Sequence, residues 1–389
     1  MTKHVLGLAV LAALSGAAQA APTVDEMWDT IKRQQKEIDS LTAKQSLTEQ
    51  KVEATADAVD AGGNQGSQWY NKTVLGGYGE HHFNNVQGGG DSVDAHRFVL
   101  FVNHEFSDTV RLFTELELEH SLAGEGKPGE VELEQAYIEW RYADNHEVNM
   151  GLFLLPVGIL NETHEPETFY GVERNGVEKD IIPTTWWETG VMMSGQIVPG
   201  FGYDFAIHSG LNTSADSSIR SGRQKSAKAS AESLAYTGRL KYTGVAGLEL
   251  AATVQYQEDM SQDVALEAES GLLTELHAVY QAGPFAVKAL YAAWDVDGAD
   301  YTAKGSDNQM GYYIEPSFKI LDNLGVFARY SSWNTMPDAL ALKDREDKEA
   351  IDLGVNFWLV DRVVIKADYQ IGQSDNLSDS VNLGIGWSF

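Results

Sequence analysis

The sequence predicts an all-β fold, a 16-stranded antiparallel transmembrane β-barrel preceded by a short α-helical coiled coil. Three observations predict it. From residue 72 to the end, apolar and polar residues alternate with period two, as in Val381, Leu383, Ile385, Trp387 and Phe389 against Asn382, Gly384, Gly386 and Ser388. Sixteen such segments occur, most of them near the 9–11 residues that a tilted membrane strand needs. The connections between them alternate short and long, which is how a barrel with tight turns on one side and loops on the other is built.

Composition narrows the function classes. The chain has 389 residues, 28 Lys and Arg against 57 Asp and Glu, a formal charge of −29 and no cysteine. An acidic excess of this size argues against nucleic acid, whose phosphates are bound by basic patches. Disulfides and thiol catalysis are excluded. No apolar run beyond the first 20 residues approaches the roughly 18 needed for a spanning helix.

The elements follow in order. Residues 1–20 read as an export signal: Lys3 supplies the positive region, residues 5–14 the apolar run, and Ala18-Gln19-Ala20 the cleavage site. Residues 21–60 read as a periplasmic coiled coil. Val24, Ile31, Ile38, Gln45, Val52 and Val59 share one heptad position, and Met27, Gln34, Leu41, Thr48 and Thr55 follow three residues later. So polar a helix is marginal alone, which favours self-association. Residues 61–71, with AGGNQGSQ at 61–68, read as a linker, and residues 72–389 as the barrel domain.

The strands are expected at 72–83, 94–106, 109–121, 131–142, 147–155, 187–198, 201–212, 234–243, 247–257, 271–282, 285–295, 310–320, 325–333, 349–359, 362–372 and 380–389. Several apolar faces end in aromatics, among them Trp140, Tyr142, Tyr242, Tyr256, Tyr291 and Trp387, as expected at a membrane interface. A soluble sandwich would also alternate, but it would not pair short and long connections so regularly. Sixteen strands enclose an aqueous lumen too wide for side chains to fill.

The export signal, the coiled coil, the sixteen-strand pattern and the terminal Phe389 together resemble a trimeric bacterial porin of the outer membrane. LEQAYIEW at 133–140 and GLFLLPVGILNE at 151–162 resemble the phosphate-selective porin O/P family, at the strand leading into its constriction loop. The terminal aromatic resembles the signal read by the outer-membrane assembly machinery. The resemblance implies a water-filled channel for passive diffusion of small hydrophilic solutes, anion- or phosphate-selective, in a homotrimer contacting lipid and lipopolysaccharide. The acidic balance of this chain instead favours a cation-preferring general channel.

Alternation places basic and acidic residues on the lumen face, and Arg97, Arg111 and Arg141, from strands 2, 3 and 4, are the best candidates for an anion ladder. The competing reading locks such residues into cross-strand ion pairs that stiffen the wall. In the long loop 156–186, Glu162, Glu165, Glu167, Glu173, Glu178 and Asp180 oppose Arg174 and Lys179, a composition suited to a constriction with a transverse field. A second loop, 213–233, carries Arg220, Arg223, Lys225 and Lys228, suited to anions, to lipopolysaccharide phosphates or simply to solvent. His82, His96 and His120 fall at the long-loop ends of strands 1, 2 and 3, where they could converge, but no dedicated metal motif accompanies them. No metal or cofactor is expected. No nucleophile motif supports an enzyme, and a tether between outer membrane and cell wall is the remaining alternative.

Overall fold

The computed structural model describes residues 69–389, apart from 122–125, 127, 214–217 and 341–346. The export signal and the coiled coil lie outside the described residues. Four strands open the barrel: β1 (Thr73–Val86), β2 (Asp91–Ser107), β3 (Val110–Glu119) and β4 (Val131–Ala143). Next come β5 (His146–Leu154), β6 (Trp187–Val198), β7 (Phe201–His208) and β8 (Ala235–Tyr242). The second half begins with β9 (Leu248–Gln257), β10 (Ser270–Ala282), β11 (Phe285–Asp297) and β12 (Asn308–Leu321). It ends with β13 (Leu324–Asn334), β14 (Lys348–Val360), β15 (Val363–Gly372) and β16 (Ser380–Ser388). One short helix, α1 (Ala299–Lys304), lies between β11 and β12.

Every strand pairs antiparallel with its neighbours in sequence, and β16 returns to β1, with Phe83 opposite Leu383 and Tyr78 opposite Ser388, to close the sheet. Closure leaves no edge strand, the condition for a sheet to stand in hydrocarbon. The sixteen strands expected from alternation are all present. Connections alternate as expected: 108–109, 144–145, 199–200, 243–247, 283–284, 322–323 and 361–362 are short, and the longest on the other side are 155–186 and 209–234.

The wall is inverted relative to a soluble sheet. Along β9, Leu250, Val254 and Tyr256 are exposed while Thr253, Gln255 and Gln257 are buried. Along β12, Met310, Tyr312, Ile314, Phe318 and Ile320 face outward. An apolar exterior around a polar interior is stable where the surrounding solvent is lipid. Trp140, Tyr142 and Phe201 are exposed near the short-turn rim, where Phe201 also packs on Tyr242 at 4.6 Å between ring centres.

Two departures from simple alternation shape the lumen. β7 ends at His208 rather than continuing to 212, because side-chain amides take over the main-chain bonds: Leu211 N donates to Gln257 Oε1 at 2.9 Å, and Gln257 and Gln262 donate to the Leu211 carbonyl at 2.8 and 3.2 Å. In β4, Glu115 pairs with Gln135 but Leu116 pairs with Leu133, so Glu134 is an extra residue. This bulge reverses the strand's parity.

Candidate functional site: the loop-crossed lumen

The 155–186 loop enters the lumen and is anchored to the wall at several places. Its helical turn, Val177–Ile181, packs against the inner faces of β11, β12 and β13. One aromatic from each strand donates a hydrogen bond to it: Trp294 Nε1 to the Ile181 carbonyl at 2.9 Å, Tyr313 Oη to Glu178 at 2.6 Å, and Trp333 Nε1 to Asp180 at 2.8 Å. The Glu178 carboxylate also accepts the amides of Ile159 and Leu160 at 2.9 and 2.6 Å, so a fully buried charge is matched by three donors. Burial still pushes its pKa up. Val177, Ile181, Ile182 and Trp186 bury their side chains there in an apolar core inside the barrel.

A further anchor lies beside the first, on β14 and β15. Val172 N donates to Asp368 at 2.6 Å, Lys366 Nζ to the Gly171 carbonyl at 3.0 Å, and Asn356 to the Phe169 carbonyl at 3.1 Å. Tyr170 packs on Phe327 and Trp358 at 5.4 and 5.9 Å. The segment 167–172 therefore borders two cavities. One, of about 640 Å³, opens among the short turns and is lined by Thr168, Tyr170, Lys288 and Lys319. The other, of about 380 Å³, lies against β1–β4 and includes Phe169, Val172 and Arg174 in its lining.

The second cavity is lined by both acidic and basic side chains. Its wall side carries Glu117 and Glu119 on β3 and Glu132 and Glu134 on β4, with Glu117 directly opposite Glu132 in register. Carboxylate oxygens of Glu117, Glu132 and Glu134 lie within 4.8 Å of one another, as do those of Glu119, Glu130 and Glu132. Among the described residues, no lysine or arginine forms an ion pair with Glu117, Glu119 or Glu134. Lys225, from the 209–234 loop, bridges Glu130 at 2.6 Å and Glu132. His164 stands 3.6 Å from Glu134; burial and then the Arg97 charge push its pKa down to about 4, so it stays neutral.

Apart from Arg97 on β2, the arginines and lysines of the same lining come from loops. Arg174 makes no hydrogen bond or ion pair among the described residues, and burial with the nearby Arg97 lowers its pKa. Arg220 donates to the Lys179 and Thr184 carbonyls at 2.6 and 3.0 Å, and Arg223 to the Thr185 carbonyl at 2.5 Å. These bonds to main-chain carbonyls tie the two long loops together, and among the described residues no carboxylate forms an ion pair with either guanidinium. Burial, then Arg220 and Arg174, lower Arg223 to about 10. A solute between these acidic and basic groups sits in a transverse field.

The residues singled out from sequence fall in several places. Arg97 is buried and bonds Glu80 at 2.6 Å and the His164 carbonyl at 2.8 Å. Arg111 pairs with Glu139, which Arg141 approaches at 3.8 Å. Arg97 lies opposite Glu119 on β3, eight residues beyond Arg111, so about 26 Å of strand separates it from the other two. The three arginines do not form one ladder. Glu162 pairs with Arg239, which also bonds Asp204 at 2.7 Å. Glu173 accepts from His82 and Asn84, both at 3.0 Å; burial opposes its ionisation, yet these bonds hold its pKa down to about 2. Glu165 contributes its carbonyl to the Thr168 amide at 2.9 Å, and Lys179 is exposed at the cavity. Alternation counted back from Glu139 missed Glu132 and Glu134, because the bulge reverses parity. The signal was present: Val131 and Leu133 are out of phase with Ala136, Ile138 and Trp140.

A closed sixteen-strand barrel with an apolar exterior and a loop-crossed polar lumen defines a class of outer-membrane channel. A family profile described as Gram-negative porin matches residues 134–377, and the chain belongs to that family. A relative from Aquifex aeolicus, described as an uncharacterized protein, is 27% identical over 335 residues, covering 76% of this chain and 74% of its own. OmpF of Salmonella typhi superposes with a TM-score of 0.59 at 12% identity, over 82% of this chain and 97% of its own. An anion-selective porin from Comamonas acidovorans gives 0.56 at 13%, over 82% and 99%. The trimer form of OmpT from Vibrio cholerae gives 0.55 at 9%, over 82% and 99%. At these identities the structures share the fold. Family and fold point to a channel in the outer membrane rather than to an enzyme.

Proposed function

We propose that the protein is a porin for passive diffusion of small hydrophilic solutes, its path running between the β3–β4 carboxylates and the guanidiniums of the two long loops. The observation that supports this reading is the lining of one cavity by both signs of charge: Glu117, Glu119 and Glu134 from the wall, Arg174, Arg220 and Arg223 from the loops. Such a field orients a dipolar solute, its ammonium toward β3–β4 and its carboxylate toward the loops. It favours zwitterions and cations over phosphate, since Arg97, Arg111, Arg239 and Arg329 are all engaged by carboxylates. Long loops face outside, and the 21–60 segment lies in the periplasm. Its heptad pattern and the trimeric OmpT neighbour support a homotrimer.

The test is the reversal potential of purified protein in a planar bilayer under a KCl gradient. Weak cation preference, with zwitterionic amino acids permeating faster than phosphate, is the expected result. Anion selectivity with block by phosphate would assign control to the loop arginines, in line with the O/P resemblance. A folded barrel without conductance would replace the channel by a tether.

A further inference from the structure

Asp94 pairs with His82 and Arg97 with Glu80, so β2 carries an extra residue between Asp94 and Arg97, and this bulge brings the His96 ring to the Asp94 carboxylate. His120, the first residue after β3, is set beside them by the backbone: its amide donates to the His96 carbonyl at 3.0 Å. Its φ of +48° lies in the left-handed region, which a side chain adopts at a cost. Asp94 Oδ2 lies 3.1 Å from His96 Nδ1 and 2.9 Å from His120 Nδ1. Ligand atoms from all three residues fall within 4.8 Å of one another. Their side chains are 27–33% exposed, and both rings line the cavity next to the acidic ladder.

We propose that Asp94, His96 and His120 bind one divalent transition-metal ion of the zinc type at the long-loop rim of the lumen. Two imidazole nitrogens and one carboxylate oxygen suit zinc, nickel or copper better than magnesium or calcium. With bonds of about 2.0–2.1 Å, tetrahedral ligands stand roughly 3.3 Å apart, a few tenths of an ångström wider than the Asp94–imidazole separations. Three corners come from the protein, and the fourth faces the cavity, where water completes the set. The ion replaces the protons that the imidazoles share with Asp94.

Neighbouring groups hold the ligands in place. The His96 ring stacks on His82 at 4.4 Å with 17° between planes. His82 is fixed in turn by Glu80 at 3.1 Å and by Glu173 of the constriction loop at 3.0 Å. Preset ring orientation of this kind raises metal affinity. The ladder of Glu119, Glu130 and Glu132 offers only oxygens, so the two clusters separate by ligand chemistry.

The experiment is calorimetric titration of the untagged, metal-free full-length protein with ZnCl2. We expect one zinc per chain, with His96→Ala, His120→Ala and Asp94→Asn each weakening binding at least about tenfold. The pair Glu130→Gln/Glu132→Gln should bind as wild type. Unheated electrophoretic migration reports folding of each variant, and His82→Ala, which leaves all three ligands intact, should weaken binding about tenfold through loss of the preset ring orientation. Absence of zinc binding by the wild-type protein overturns the proposal. So does binding that survives loss of both His96 and His120, or that disappears in the Glu130→Gln/Glu132→Gln variant.

Discussion

Glu178 shows how a single side chain sets the constriction. Its carboxylate accepts from Ile159 N, Leu160 N and Tyr313 Oη, drawing the two arms of the loop and the barrel wall to one point. Glu178→Ala leaves those donors buried and unpaired, at about 1–3 kcal/mol for each donor left without water. The expected outcome is a barrel that still forms but melts earlier, with its 155–186 loop open to proteolysis. Charge at the cavity is also a single-residue property. Two unit charges about 8 Å apart interact by roughly 2 kcal/mol at an effective dielectric of 20, and salt reduces this. Glu117→Gln with Glu134→Gln should therefore shift the cation-to-anion permeability ratio toward anions by roughly fivefold, and Arg174→Gln should shift it the other way by a similar factor. Reversal potentials measure both. A shift of the same sign in the two variants would show that these residues do not face a common path.

At the scale of elements, the loop's position depends on close packing as well as hydrogen bonds. A Cβ on Gly176 would lie 2.2 Å from the Trp333 ring, so this position accommodates only glycine beside that indole. Gly176→Leu should displace the helical turn 177–181 from β13 and raise single-channel conductance, because the loop no longer holds its place in the lumen. Unchanged conductance would mean the path does not pass the loop. The strands were legible because period-two alternation is a local consequence of having lipid on one side and water on the other. The bulge at Glu134 was visible only as a phase break. The early end of β7 was hidden, since Gln257 and Gln262 lie about fifty residues along the chain from the backbone they bond. Docking of the loop was hidden too: Trp294, Tyr313 and Trp333 look like any lumen-facing aromatics until the sheet curves them around one point.

At the scale of the whole molecule, closure joins the ends of the described chain. Phe389 N donates to the Gly77 carbonyl at 2.9 Å, Gly77 N donates to Phe389 O at 3.1 Å, and the Phe389 ring stacks on Phe98 at 6.2 Å. Removing Phe389 deletes both bonds at the seam, and a lower yield of heat-modifiable barrel in outer membranes is expected. Deleting residues 21–68 touches none of the sixteen strands and should leave conductance intact while altering assembly, measured by mass in detergent. Loss of conductance on that deletion would place the N-terminal segment in the permeation path.

The closed barrel, its strand count, the alternation of turns and loops, and the inversion of polarity are all written in neighbouring residues. The constriction is not, because it forms where segments distant in the chain meet. Which carboxylates face which guanidiniums depends on a parity change in β4, on two loops crossing the lumen, and on aromatics that meet from three strands. Charge pairing is set by distance in space, and residues such as Arg239 and Glu162 are brought close only when the sheet closes around the loop.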